Sequence, residues 1–332
     1  MNPTVDVHTH CIPASLLDRI RDGTAPGGVG VVRRGNEEWV THPGGFAYPL
    51  APTFHDIEAR LAGMDAAGIG TGVMSISPDL YAYEVGARDA SVHAALFNDA
   101  LADLVAAHPD RLAGLATLPL QEPDSAVIEL VRSVKDLGLR GAQIGPVIAG
   151  DWLDHPRFRP VLRAAADLRV PLVLHPYYLG PRPDFADYYL VNLVGNPLQT
   201  TTVAARLILG GVLDEFPDLR FVLVHGGGFL PYQIGRLDHG WRVRPEAHGC
   251  VDPPSAYLGR FAFDTLTHSP AALRYLLDLA GDAVVYGTDT PFDMGGGSLT
   301  AQLRGLEVAP AVRAAVAGGT ARRIFDLEEE HR

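Results

Sequence analysis

The chain contains little cysteine and no long apolar run. Cys11 and Cys250 are its two cysteines in 332 residues, which is too few for a disulfide framework and suits a reducing cytoplasm. No apolar run approaches the roughly 18 residues of a membrane span. No basic segment followed by an apolar stretch opens the chain, so we expect no signal peptide. These absences predict a cytoplasmic protein with no membrane partner.

Positive charge is also scarce. Lysine and arginine together number 27 against 39 acidic residues, which gives a formal net charge of −12. An acidic chain without basic clusters is a poor partner for nucleic acid. A small anionic substrate remains possible, provided that arginines near the site offset the negative charge of the chain as a whole. No glycine-rich dinucleotide fingerprint follows any predicted strand, since Gly226-Gly227-Gly228 does not fit the G-x-G-x-x-G pattern.

What the chain does have is a regular alternation of apolar strands with helices or long connections. Several of the strands are apolar on both faces, as buried parallel strands are. The pattern favours an α/β fold of the (β/α)₈ TIM-barrel type, built as a single domain over residues 1–332. A doubly wound open sheet is the alternative. Two short runs around Gly35-Asn36 predict a small β-hairpin insertion near residues 29–41. The eight predicted strands lie at residues 5–10, 71–77, 112–118, 139–144, 170–175, 219–225, 261–266 and 283–288.

The first strand carries two histidines one residue apart. Because residues i and i+2 share a face of a strand, His8 and His10 should lie side by side, together with Asp6. Imidazole is a common zinc ligand, and a catalytic zinc takes three or more protein groups. The remaining ligands would have to come from distant parts of the sequence. Cys11 follows the pair on the opposite face, where we expect a buried structural cysteine.

Other predicted strands end in residues of the same kind. In a (β/α)₈ barrel the active site lies at the carboxyl ends of the strands. His175 ends the fifth strand, His225 the sixth, and Asp289 follows the eighth. Three imidazoles and one carboxylate suit a borderline cation such as Zn²⁺, and one histidine would be left to accept or donate a proton. His268, near the end of the seventh strand, is the one other histidine of interest.

Four sequence motifs are similar to those of a known protein family. DVHTH at 6–10, LHP at 174–176, VHGGGFLPYQIGRLDHGW at 224–241 and YGTDTPF at 286–292 resemble the amidohydrolase superfamily. Within it, they are similar to the branch of aminocarboxymuconate-semialdehyde decarboxylase and the resorcylate-type decarboxylases. The resemblance covers nearly the whole chain. It implies a distorted (β/α)₈ barrel with one divalent metal, zinc or alternatively manganese, and a small-molecule carboxylate substrate.

The resemblance also implies roles for individual residues. It makes His8, His10, His175 and Asp289 the metal ligands, with His225 and Asp289 in the chemistry. Arg236 matches an arginine that holds a substrate carboxylate in a neighbouring subunit's site, which implies a homodimer. Phe292 matches an aromatic wall beside the metal aspartate.

Three differences from related patterns bear on the substrate and on the number of metals. The position of a second substrate arginine in the semialdehyde decarboxylase is Ala47 here, which argues against the same dicarboxylate substrate. Pro146 follows the fourth strand where that family has a polar residue. The fourth strand's end, Gln143-Ile144-Gly145, offers no lysine to bridge two metals.

Three functions remain open from the sequence. The leading hypothesis is a metal-dependent non-oxidative decarboxylase, a carboxy-lyase acting on a small aromatic or conjugated carboxylic acid. The second is a hydrolase of an ester, lactone or amide that uses the same residues. The third is a barrel that has lost its chemistry and only binds a ligand.

Overall fold

Eight parallel strands form the centre of the protein. The structure is a computed structural model that describes residues 4–178 and 183–327. We number only the barrel strands: β1 Thr4–Cys11, β2 Ile69–Ile76, β3 Leu112–Gly114, β4 Ala142–Ile144, β5 Leu172–Leu174, β6 Phe221–Leu223, β7 Phe261–Asp264 and β8 Val284–Val285.

The strands pair in sequence order and meet around a ring. β1, β2 and β3 form one parallel sheet, and β4 to β8 form a second. Parallel bridges connect the two sheets at both edges, between Ala116 and Ala142 and between Thr9 and Thr290. Backbone hydrogen bonds support the second junction, where the His10 amide donates to the Thr290 carbonyl at 2.8 Å. This arrangement confirms the predicted barrel and not the open sheet.

Helices separate the strands along the chain. One of them begins at Pro270 after Ser269, whose hydroxyl accepts a hydrogen bond from the Ala272 amide. The α-helices are α1 Ala14–Arg21, α2 Ile57–Ala67, α3 Ala87–Ala107, α4 Pro123–Lys135, α5 Arg159–Leu168, α6 Asn196–Leu209, α7 Val212–Glu215, α8 Leu230–Val243, α9 Pro270–Ala280, α10 Leu299–Gln302, α11 Pro310–Ala314 and α12 Thr320–Ile324.

The last two helices are interrupted. Gly318 lies between α11 and α12 and leaves the helical conformation there.

The inside of the barrel is apolar below the ends of the strands. Small and β-branched side chains from the strands form one buried cluster that α12 and the residue after it help to close. Its members are Val5, Val7, Val73, Ala113, Leu115, Val173, Val222, Val224, Ala262, Val285, Ala321 and Phe325. This packed interior leaves polar side chains to gather where the strands end.

An irregularity in β1 corrects one sequence prediction. Asp6 pairs with Gly72, whereas Thr9 pairs with Met74, so β1 has one extra residue between these points. Such a bulge breaks the simple alternation of faces. The Asp6 carboxylate therefore does not join His8 and His10, and instead accepts a hydrogen bond from the Thr288 hydroxyl at 2.6 Å.

The hairpin insertion is confirmed and is larger than expected. Strands Gly30–Arg34 and Glu37–Thr41 pair antiparallel, and a third strand, Ala47–Pro49, lies outside the predicted bounds and adds to them. None of the described helices is long and apolar enough to cross a membrane.

Candidate metal centre

Four side chains from three strand ends meet at the top of the barrel. His8 and His10 come from β1, His175 directly follows β5, and Asp289 lies in the turn after β8. All four are buried, and one ligand atom from each lies within 4.8 Å of the others. The structure thus brings together the four residues that the sequence singled out as metal ligands.

The Asp289 carboxylate lies at the centre of this group. Its Oδ1 is 3.0 Å from His10 Nε2, 3.2 Å from His8 Nε2 and 3.9 Å from His175 Nε2. Asp289 has a positive φ of 58°, a conformation that is uncommon for a residue with a side chain. The turn therefore holds the carboxylate against three rings at a cost in backbone strain.

The opposite nitrogen of each ring is held by an acceptor. Nδ1 of His8 lies 2.7 Å from Asp264 Oδ2, Nδ1 of His10 lies 3.1 Å from the Ile76 carbonyl, and Nδ1 of His175 lies 2.6 Å from the Pro176 carbonyl. A carbonyl or carboxylate oxygen only accepts, so each Nδ1 must carry the proton.

The neutral form of each ring then turns an Nε2 lone pair toward the Asp289 carboxylate. The Nε2 atoms of His8 and His175 are buried and have no hydrogen-bond partner among the described residues. Lone pairs facing a carboxylate repel one another unless a cation lies between them. Fixing of metal-binding imidazoles through Nδ1 is the usual support of such sites, so the donor set fits a divalent metal.

The pKa shifts of His10, His175 and Asp289 agree with this donor set, whereas that of His8 has the opposite direction. Burial lowers the pKa of His175 to about 3 and also lowers that of His10. Burial opposes the charged form of His8 as well, but Asp289 and Asp264 raise its pKa to about 10. Burial likewise opposes ionisation of Asp289, yet the adjacent histidines hold its pKa well below the usual range. A metal would replace the proton that the acidic residues otherwise keep on His8.

His225 lies next to the four proposed ligands but is not one of them. It follows β6 with a positive φ of 55°, and its Nε2 is 3.5 Å from Asp289 Oδ2. Its Nδ1 is buried and has no hydrogen-bond partner among the described residues. One ring nitrogen of His225, Nε2, is thus directed at the ligand set, and the other is enclosed by the protein.

Sequence reasoning missed Asp264. This fully buried residue ends β7, accepts the His8 hydrogen bond and also accepts from the backbone amides of Gly226 and Leu266, at 2.7 and 3.0 Å. It connects a metal ligand to the turn that carries His225. Its place at a strand's carboxyl end is the sequence signal that points to it.

A cavity opens beside the metal ligands. It has about 580 Å³ of empty space, open to solvent, and His175, His225, Asp289 and Phe292 contribute to its wall. The Phe292 ring lies 5.5 Å from the His10 ring, centre to centre. The rest of its lining, as far as the structure describes it, is Phe46, Pro78, Asp79, Pro176, Tyr177, Tyr178, Tyr189, Val191, Asn192, Asn196, Asp293 and Met294.

Three other residues of interest are not part of the ligand group. Arg236 is exposed on α8 and lines neither this cavity nor the adjoining one. His268 is exposed and borders the adjoining cavity. Cys11 is a buried free thiol, and burial raises its pKa to about 12, so it is no candidate ligand.

Comparison with known proteins places this geometry in a family. A family model described as amidohydrolase matches residues 5–327. The chain belongs to the amidohydrolase family. The resemblance inferred from the four motifs is thereby confirmed, and so is the barrel, which is the fold of this family's solved structures.

Individual relatives point to one branch of the family. The chain is 32% identical to 2-amino-3-carboxymuconate-6-semialdehyde decarboxylase of Dictyostelium discoideum, over 88% of this chain and 82% of the relative. It is 32% identical to gamma-resorcylate decarboxylase of a Rhizobium species, over 86% and 92%. The structure matches a dihydroxybenzoic acid decarboxylase from Polaromonas with a TM-score of 0.82 and 25% identity, over 99% and 98%. That structure contains manganese and the inhibitor 2-nitroresorcinol.

Proposed function

We propose that this protein is a metal-dependent, non-oxidative decarboxylase of a small aromatic or conjugated carboxylic acid. The observation that carries the proposal is the convergence of three imidazole lone pairs and Asp289 beside His225 in an aromatic-lined cavity. The decarboxylase activity of the relatives supports it.

We assign His8, His10, His175 and Asp289 as the metal ligands. Imidazole and carboxylate donors suit Zn²⁺, which is our first choice, and they also accept Mn²⁺. A divalent ion held there would polarise an oxygen of the substrate and stabilise negative charge. Burial and the neighbouring groups already favour the deprotonated forms of His10, His175 and Asp289. A metal would therefore not have to displace a proton from these three ligands.

Proton transfer falls to His225. The carbon that bears the carboxylate must gain a proton, while the bond to the carboxylate breaks and its electron pair stays with that carbon. His225 lies at the cavity with its Nε2 facing the ligand group, 3.5 Å from Asp289 Oδ2, so it can deliver that proton to the carbon from this nitrogen. The other ring nitrogen, Nδ1, is buried on the opposite side of the ring.

Phe292 and Arg236 are the proposed substrate contacts. Phe292 forms an apolar wall next to His10, against which a flat ring can pack. Arg236 lies on the exposed surface of α8, so it would hold a carboxylate only in the site of a second subunit. We therefore propose a homodimer in which Arg236 acts across the interface.

Two further proposals concern the whole chain. Residues 1–332 would form one domain, and the protein would act in the cytoplasm, where its unpaired cysteines are suited to a reducing environment.

The test separates decarboxylation from hydrolysis. Protein loaded with Zn²⁺ or Mn²⁺ is incubated with a panel of hydroxybenzoates, and CO₂ release is measured in ¹⁸O-labelled water. We expect CO₂ release and a product that carries no ¹⁸O. Cleavage of esters or lactones with ¹⁸O incorporation and no CO₂ from any acid would favour the hydrolase instead.

A further inference from the structure

A second buried carboxylate lines the substrate cavity. Asp79 follows β2, and its side chain is 5% exposed. It is not among the four metal ligands. Burial of an isolated carboxylate is costly, so its surroundings must compensate for the lost water.

Three side chains hold Asp79 in place. His42 Nε2 donates to Oδ2 at 2.7 Å, and the Tyr48 hydroxyl donates to the same oxygen at 3.0 Å. The Ser77 hydroxyl donates to Oδ1. All three contacts are donors, as an ionised carboxylate requires. A carboxylate has about four acceptor positions, and the described residues fill three of them, which leaves one for a group in the cavity.

The hairpin insertion builds this part of the wall. His42 and Tyr48 both belong to it, as does Phe46, whose ring stacks on Tyr178 with centres 5.5 Å apart and planes at 19°. These rings form a flat apolar surface beside Asp79. The cavity therefore combines a surface for a planar ring with a fixed negative charge.

The charges around the cavity favour one kind of substituent. No lysine or arginine occurs among the described residues that line it, whereas Asp289 and the exposed Asp293 are acidic like Asp79. Ala47, in the neighbouring hairpin strand, offers no charge. A second carboxylate on the substrate would meet a negative charge there without a compensating cation.

We propose that Asp79 forms a subsite that accepts a hydrogen bond from a hydroxyl or amino substituent of the substrate ring and rejects a second carboxylate at that position. This inference rests on the proposed function for the location of the reacting carboxylate. It assigns the substrate class as ring monocarboxylates that carry a hydrogen-bond donor.

Equilibrium binding tests the subsite without turnover. Isothermal titration calorimetry on the metal-loaded protein compares 3-hydroxybenzoate with benzene-1,3-dicarboxylate, and 4-hydroxybenzoate with benzene-1,4-dicarboxylate. For at least one pair we expect the hydroxy acid to bind about 10-fold tighter or more, as fits a hydrogen bond to a charged group. Equal or tighter binding of both dicarboxylates would overturn the proposal without any variant.

The variant Asp79→Asn sharpens the test. It should reduce the preference for the hydroxy acid by about 10-fold or more. Asp293→Asn is the matched control, because it removes a charge from the same cavity at an exposed residue, and we expect it to change the preference by less than about threefold, since solvent and salt screen exposed charges. A folded Asp79→Asn protein with the wild-type preference contradicts the subsite.

The two proposals fail in different ways. Selective binding of hydroxybenzoates without CO₂ release would remove the proposed decarboxylation and leave the subsite. CO₂ release together with an unchanged preference in Asp79→Asn would do the reverse.

Discussion

Asp264 Oδ2 accepts a hydrogen bond from Nδ1 of His8 at 2.7 Å, although the two residues are 256 positions apart in the chain. The other oxygen of Asp264 accepts hydrogen bonds from the backbone amides of Gly226 and Leu266. One carboxylate therefore sets the ring orientation of a proposed metal ligand and fixes the turn next to His225.

The variant Asp264→Asn should weaken metal binding. Its amide oxygen would take the place of Oδ1, where two backbone amides donate, and its NH₂ group would then face His8 Nδ1. His8 would have to accept there and carry its proton on Nε2, which blocks coordination. We expect the metal dissociation constant to rise about 10- to 100-fold, the usual effect of losing such a partner, as measured by competition with a chelating dye.

Asp6→Asn is the control for Asp264→Asn. Asp6 is also a buried carboxylate, but its donors are backbone amides and the Thr288 hydroxyl, which can reverse its hydrogen bond. Metal affinity should change far less in this variant. If both variants fold and bind metal with the same affinity as the wild type, Asp264 does not set the His8 tautomer.

His225→Asn should separate chemistry from metal binding. His225 is not part of the four-ligand group, so the variant should keep its metal and lose about 10²- to 10⁴-fold in kcat, the range for a lost acid or base. His175→Ala should instead lose the metal. Metal content by elemental analysis, measured beside CO₂ release, distinguishes the two, and full metal occupancy in His175→Ala would refute the ligand set.

Arg236 is testable by subunit exchange. Arg236→Ala and His175→Ala should each be inactive, because each damages every site of the proposed dimer. In a mixed dimer one site regains both residues, so exchange of equal amounts should restore about a quarter of wild-type activity. Mass spectrometry of isotope-labelled subunits would establish that exchange occurred. No recovery after complete exchange would rule out a role across the interface.

We predict that His93 makes the folded protein less stable in mild acid. It is buried on α3, and its Nε2 donates to the Leu80 carbonyl at 2.7 Å. Burial lowers its pKa, so the unfolded chain takes up the proton first. The stability that neutral His93 provides is complete above its unfolded pKa of about 6.5 and decreases as the pH falls below it.

The variant His93→Gln should therefore lose less stability on acidification. Its side-chain amide can still donate to Leu80 but does not titrate. We expect a smaller decrease in Tm between about pH 7 and pH 5 than in the wild type. His239→Gln, at an exposed position on α8, is the control and should follow the wild type; equal acid sensitivity of all three proteins would contradict the prediction.

Much of this architecture follows from local sequence patterns. Apolar runs alternating with amphipathic segments predicted the eight strands and most of the helices, because burial on both faces and a 3.6-residue period leave direct marks in the sequence. The rule that barrel strands present functional residues at their carboxyl ends selected His8, His10, His175, His225 and Asp289. Strand ends were placed less well, since β8 is as short as Val284–Val285 and its predicted extent was residues 283–288.

The features that the sequence did not reveal all depend on contacts between distant segments. The bulge that separates Asp6 from His8 is visible only in the pairing of β1 with β2, where the register shifts by one residue. The role proposed for Asp79 depends on the hydrogen bonds that His42 and Tyr48 of the hairpin insertion donate to its carboxylate.

The sequence by itself therefore determined the barrel and which side chains stand at its rim, because periodicity and strand ends are local properties of the chain. Only the tertiary structure decided which nitrogen of each histidine faces the centre. That choice depends on acceptors such as Asp264 and the Pro176 carbonyl, and their positions are set by the closure of the ring.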